Sequence, residues 1–264
     1  MFLVEIGRAL HRVRTWVFAL GLAGLAILPV VVLATSSHER GGPLFFDQLR
    51  QSGMLAALTV IVLIQPFFLP LGTSLLSGEA IAAEAAGGTL RYLVTRPVGR
   101  VRLVLHKYAS VVAQVGAAVV WVMVVGLIAG GLAFGYGRLP TLSGTTLGPG
   151  TAAIRIAASG AYAVCGMAGL AAIGLFLSTL TDSGLGAAVA TMALAITSQI
   201  VDGLSSLHAV HPYLFSDRWF AFVGLFRSPV EWGEILSGLF VDGVYVAIFL
   251  GAAVWVFWRK DVVS

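Results

Sequence analysis

From Thr15 to Ala34 the chain runs for 20 residues without a charged side chain. As a helix that length crosses the roughly 30 Å hydrocarbon core of a bilayer. Comparable stretches run from Met54 to about Leu76, Leu103 to about Phe134, Ile156 to Leu180, Gly184 to about Val201 and Ile235 to Trp258. The expected fold is therefore an all-α polytopic membrane protein with six transmembrane helices, one transmembrane domain over residues 1–264. Composition agrees: 58% of residues are hydrophobic and 11% charged, with a mean hydropathy of +0.95, whereas soluble domains are about a quarter charged. These figures exclude a cytosolic globular enzyme, a secreted disulfide scaffold and a disordered regulator. The lone Cys165 has no intrachain partner and says nothing about redox compartment.

The first run follows Arg8, His11, Arg12 and Arg14. A signal peptide shares that layout, but this run is too long for a typical apolar region, holds Pro29 and lacks an obvious cleavage box, so it reads as an anchor. Gln65, Pro66 and Pro70 interrupt the second run and mark it as kinked. The third is longer than a crossing requires and is expected to tilt or project. With both termini on the cytoplasmic side, ten Lys and Arg lie inside and six outside, the bias that cytoplasmic loops carry. The net charge of +4 is thus read as membrane topology and not as a nucleic-acid surface. Trp16, Trp255 and Trp258 fall at the inner ends, where amphipathic rings prefer the interface.

Gly126 with Gly130 and Gly131 with Gly135 form two G-x-x-x-G pairs in the third run, and Gly166, Gly169, Gly174, Gly184 and Gly186 add small residues to the next two. Lipid gives helices little hydrophobic reason to associate, so close backbone approach at small residues matters. Residues 1–14 place Phe2, Leu3, Ile6, Ala9, Leu10 and Val13 at helical spacing. That pattern fits either an amphipathic helix in the inner interface or an extension of the first span.

The most informative stretch is the loop of residues 77–106. Glu79 and Glu84 lie on an Ala-rich segment that Gly87 and Gly88 break. A short helix follows, with Leu90, Leu93 and Val94 on one side and Arg91 and Arg96 on the other, and Pro97 ends it. Such a helix can lay its apolar face in a groove of a cytoplasmic partner while its arginines meet carboxylates at the rim. A solvated positive loop is the plainer alternative.

Glu84, Gly88, Thr89, Leu90, Leu93, Pro97, Arg100 and Lys107 resemble the E…GTL…LL…P…R…K pattern of ABC-2-type transporter permeases. The pattern sits between the second and third of six spans, as it does in that family, and the likeness covers essentially the whole chain. Val94 and Arg91 stand where the family often has Leu and Glu. The resemblance implies a bacterial inner-membrane exporter subunit with both termini cytoplasmic, paired with a second permease copy, either identical or a close paralogue. It implies separate nucleotide-binding subunits that hold ATP and Mg, with no cofactor in this chain. Glu84, Thr89, Leu90, Arg91, Leu93, Val94, Arg96, Pro97 and Arg100 would then form the ATPase-coupling element.

Residues 206–233 are aromatic for a loop, carrying Tyr213, Phe215, Trp219, Phe220, Phe222, Phe226 and Trp232. They are expected to form short helices in the outer leaflet. In the resembling family this region makes a re-entrant or interfacial outer gate, here assigned to Tyr213, Phe215, Trp219 and Phe222; a simple interfacial anchor is the alternative.

Other chemistry is missing. A P-loop needs G-x-x-x-x-G-K-[ST], yet Lys107 precedes Tyr108 and Lys260 precedes Asp261. There is no H-E-x-x-H or paired Cys motif, and His208 with His211 falls short of the four ligands of structural zinc, so no metal is expected. Gln65, Gln114, Gln199 and Asp242 are candidates for lining a translocation path; Asp242 can either pair with Arg155 or lie at the water interface. The expected function is an ABC exporter permease for a hydrophobic or amphiphilic substrate such as a drug, antibiotic or lipid. Polysaccharide or glycolipid export, a self-sufficient secondary transporter or channel, and an intramembrane enzyme are the alternatives.

Overall fold

The computed structural model describes residues 13–35, 49, 51–86 and 99–259. Seven α-helices form nearly all of it: α1 Val13–Thr35, α2 Leu55–Ile64, α3 Phe68–Ala86, α4 Arg100–Phe134, α5 Pro149–Leu180, α6 Gly184–Asp202 and α7 Trp232–Arg259. A two-residue hairpin, β1 Leu139–Pro140 with β2 Thr146–Leu147, precedes α5, with Leu139 opposite Leu147. Gly144 turns it at φ 79°, a left-handed conformation that suits glycine. Five helices are long and apolar enough to cross a membrane, or six if the bent pair α2 and α3 counts as one. This is an all-α architecture compatible with a multi-pass membrane protein.

The second apolar run is two helices, not one. They bend by 60° across Gln65–Phe67, and the prolines explain why. Pro66 has no N–H to give the carbonyl four residues back, so the first helix stops, whereas Pro70 sits in the opening turn of α3, where a missing donor is tolerated. Ten residues make α2 about 15 Å long, half of what a crossing needs. It is apolar all round, and Leu55 to Ile61 are buried without exception. A helix with that pattern belongs inside protein.

α5 is the central helix. Pro149 opens it at a position where the lost N–H was unpaired anyway, and its glycines admit its neighbours. Gly160 faces Met123 of α4, Gly166 and Gly169 face Asp242 of α7, and Gly174 faces Ser77 of α3. Gly126 and Gly130 do what their spacing predicts, receiving the start of α2 at Ala56, Ala57 and Gly53. The second pair does not pack helices: Gly131 lies under the Tyr136 ring, and Gly135 ends α4 at φ 73°. Outward, α1, α4, α6 and α7 expose large apolar side chains such as Leu20, Val120, Val189 and Phe240. That belt suits lipid.

Thr181, Asp182 and Ser183 alone connect α5 to α6, and Ser183 Oγ caps α6 by accepting from Gly186 N at 3.0 Å. Beside this turn, Ser178 Oγ of α5 accepts from the backbone N–H groups of Ile81 (3.0 Å) and Ala82 (2.9 Å) of α3. At the same end Ile81, Leu103, Val104, Leu175, Ala253 and Phe257 form a core cluster drawn from α3, α4, α5 and α7. Arg259 lies over the Trp255 ring, 4.1 Å from its centroid.

Candidate functional site within the bundle

Inside a membrane bundle an unpartnered polar group is the feature to follow, because no water is at hand to satisfy it. The first such place is the bend between α2 and α3. Gln65 is fully buried, and neither atom of its amide has a hydrogen-bond partner among the described residues. The next carbonyl, of Pro66, loses its helical donor because Pro70 has no N–H. Gln199 of α6 supplies the replacement, its Nε2 donating to Pro66 O at 3.0 Å. Two expected path residues therefore meet at one break. Ser74, a little further along α3, is also buried with its hydroxyl unpartnered.

The second place lies between α5, α7 and the segment before α7. Asp242 is 5% exposed, and its Oδ1 has no partner; Trp219, 1% exposed, has an unpartnered Nε1. Both groups face Gly166: a methyl built there would sit 3.1 Å from Trp219 Cδ1 and 3.7 Å from Asp242 Oδ2. An orphaned donor and an orphaned acceptor thus share one small-residue notch. The three tyrosines of this region point their hydroxyls elsewhere: Tyr162 donates to Arg218 O (2.8 Å), Tyr245 to Tyr213 O (2.9 Å) and Tyr108 to Ala168 O (3.2 Å). Arg155 is not the partner of Asp242. Its Nη1 donates to Leu225 O at 2.6 Å, pinning the aromatic segment to the start of α5.

The sequence profile of one family matches residues 25–263, nearly the whole chain, and its description reads protein of unknown function (DUF2705). The chain belongs to the DUF2705 family. No curated protein matches it.

In this DUF2705 chain the aromatic segment folds as three short 3₁₀ turns, Ser205–Leu207, His211–Tyr213 and Ala221–Phe226. Trp219, Phe222 and Phe226 are fully buried and Phe215 nearly so, packed into the main core instead of lying open to a leaflet. Tyr213 and Trp232 are the exceptions, at 73% and 57% exposed. The reason is the polar framework beneath the rings. Arg218 bonds Asp217 Oδ2 and Glu234 Oε2, each at 3.1 Å, and donates to Pro212 O at 3.3 Å. Ser198 and Ser216 pair their hydroxyls at 2.6 Å, and Leu142 N donates to Phe226 O at 2.9 Å. Burial pushes the Asp217 carboxyl above the usual carboxylate range; Arg218 opposes that, and a hydrogen bond with Asp202 adds to it.

Gln114 joins neither place. Its amide donates along its own helix to Ser110 O at 3.2 Å. Glu84 lies in the last turn of α3 and Arg100 opens α4, but their side chains are outside the described part. Thr89, Leu90, Arg91, Leu93, Val94, Arg96 and Pro97 lie outside the described residues, as do residues 1–12 of the amphipathic start. Sequence reasoning did not foresee that Asp242 faces Trp219, nor that Asp202 and Asp217 meet beside His211. The spacing of Asp217 and Arg218 from the apolar rings was the available signal.

Proposed function

We propose that the chain is the permease subunit of an ATP-driven ABC exporter, working as a dimer with itself or a close paralogue and driven by separate ATPase subunits. The termini are cytoplasmic, the membrane is a bacterial inner membrane, and the bent α2 and α3 together make one of six spans. One observation carries the reading. The stretch resembling the ABC-2 pattern joins α3 to α4, two helices whose adjoining residues Ile81, Leu103 and Val104 share a core cluster with α5 and α7. A push on that stretch acts on four helices at once. The cargo is a hydrophobic or amphiphilic molecule, in keeping with an interior whose buried polar side chains, among the described residues, are Ser, Thr and Gln apart from Asp242.

The competing reading is a self-sufficient secondary transporter, and Asp242 favours it: a buried acid within a membrane-crossing helix is a common element of ion-coupled carriers. Affinity purification from native membranes separates the two. Recovery of a P-loop ATPase with the chain, and loss of ATP turnover in that complex on Leu90→Asp and Leu93→Asp with membrane insertion intact, supports the exporter. Cargo movement in vesicles holding this chain alone, driven by an ion gradient without ATP, overturns it.

A further inference from the structure

Outside the bundle, three potential metal ligands converge where α6 ends. Asp202 is the last residue of α6, His211 opens the second 3₁₀ turn, and Asp217 follows six positions later. One ligand atom from each lies within 4.8 Å of the other two. We propose that Asp202, His211 and Asp217, with His208 as fourth donor, bind a divalent transition-metal ion of the zinc or manganese type.

The distances bear this out. Ligands held about 2.1 Å from a tetrahedral ion are about 3.4 Å apart, so the cluster has at most about 1.4 Å to close on binding. That is a side-chain rotation, since the ligands sit on a helix end and short turns. His208 is exposed, and its ring centroid is 5.4 Å from that of His211, which brings a second imidazole alongside the first. The full set is two nitrogens and two carboxylates.

Neighbouring groups orient these ligands, as outer partners do in metal sites. Asp217 Oδ2 is held by Arg218, itself braced on Glu234, and His211 Nε2 lies 3.2 Å from Leu204 O. The paired hydroxyls of Ser198 and Ser216 fasten the turn to α6 from the buried side. Imidazole beside carboxylates favours zinc over calcium and magnesium, which take oxygen ligands, with manganese, also oxygen-preferring, expected to bind more weakly than zinc. All three ligands are half-buried, so an ion enters directly from water. Once bound, it clamps the aromatic segment to α6, whatever the bundle carries.

The test is calorimetric titration of the full chain, purified in detergent and stripped by chelator, with zinc chloride, manganese chloride and calcium chloride in turn. The expected result is one zinc per chain at micromolar or lower Kd, weakened at least about tenfold by His211→Ala and by Asp202→Asn, and less by His208→Ala. Zinc raises the melting temperature of the parent chain and not of His211→Ala. Metal-free melting of each variant checks its fold. If His211→Ala is unfolded, Asp202→Asn and the exposed His208→Ala decide. Absence of saturable zinc binding, zinc affinity unchanged in these variants, or calcium binding as tightly as zinc overturns the site.

Discussion

Gln199 donates its side-chain N–H to the carbonyl of Pro66 across 133 positions of sequence, at 3.0 Å. Proline makes this bond necessary: with Pro70 four residues ahead, the Pro66 carbonyl has no helical donor. Gln199→Ala leaves that carbonyl unpaired in a half-buried site. The expected loss is about 1 kcal/mol, in the range measured for interhelical hydrogen bonds in membranes. Thermal unfolding in detergent reads it, and Gln114→Ala, whose bond stays within one helix, is expected to change little.

Glycine substitutions separate packing from propensity. A methyl at Gly78 would come within 2.5 Å of Ala188 N, backbone that cannot swing aside, while at Gly21 it meets nothing within 4 Å. Gly78→Ala is expected to lower the melting temperature or prevent folding. Gly21→Ala is expected to be neutral or stabilising by up to about 1 kcal/mol, the helix-propensity difference between the two residues. Unfolding followed by circular dichroism distinguishes them.

Asp242→Asn tests the notch at Gly166. The amide keeps the shape of the side chain and removes an ionisable group whose Oδ1 has no partner. Stability is expected to stay level or rise by about 1 kcal/mol, as when buried charge gives way to neutral groups. Under the exporter reading, cargo movement falls while ATPase association persists. Trp219→Phe removes the orphaned N–H but leaves a small cavity in the core, so it is expected to fold with a loss of about 1 kcal/mol.

Two arginines of the aromatic segment are expected to differ sharply. Arg218 is mostly buried and holds Asp217, Glu234 and Pro212 O. Among the described residues Arg227 pairs with Glu231 alone, at 2.5 Å, with both side chains about half exposed. Arg227→Ala should cost under about 1 kcal/mol, the usual worth of a surface pair. Arg218→Ala should cost more, about 2 kcal/mol, because it strips the largely buried Asp217 of its partner and frees Pro212 O, while the exposed Glu234 adds little. Melting curves at low and high salt decide, the Arg227 effect fading with salt and the Arg218 effect persisting.

The helices were legible because lipid imposes a length, and runs such as Thr15 to Ala34 satisfy it visibly. The kink at Gln65 was legible for a local reason, since two prolines act on their own carbonyls. Partnerships across the bundle were not. Nothing in the sequence says that Gln199 reaches Pro66 or that Trp219 and Asp242 share one glycine, because helix rotation decides which faces meet. The aromatic segment was legible as short helical turns but not in its burial: Arg155, Arg218 and Ser216 bond the backbone and side chains that fold most of its rings inward. The two G-x-x-x-G pairs look alike in sequence, yet only one lies at a helix contact.

The turn of Thr181 to Ser183 carries a mechanical consequence. Three residues reach at most about 10 Å, close to the 8 to 10 Å between the axes of packed helices, and here Asp182 bends between extended Thr181 and Ser183. The strap is short. With Ser178 stitched into α3 beside it and Gly78 of α3 seated against Ala188 of α6, the three helices are fastened together at this end. Under the exporter reading, relative motion of these helices is therefore smallest at this corner and largest at the opposite rim.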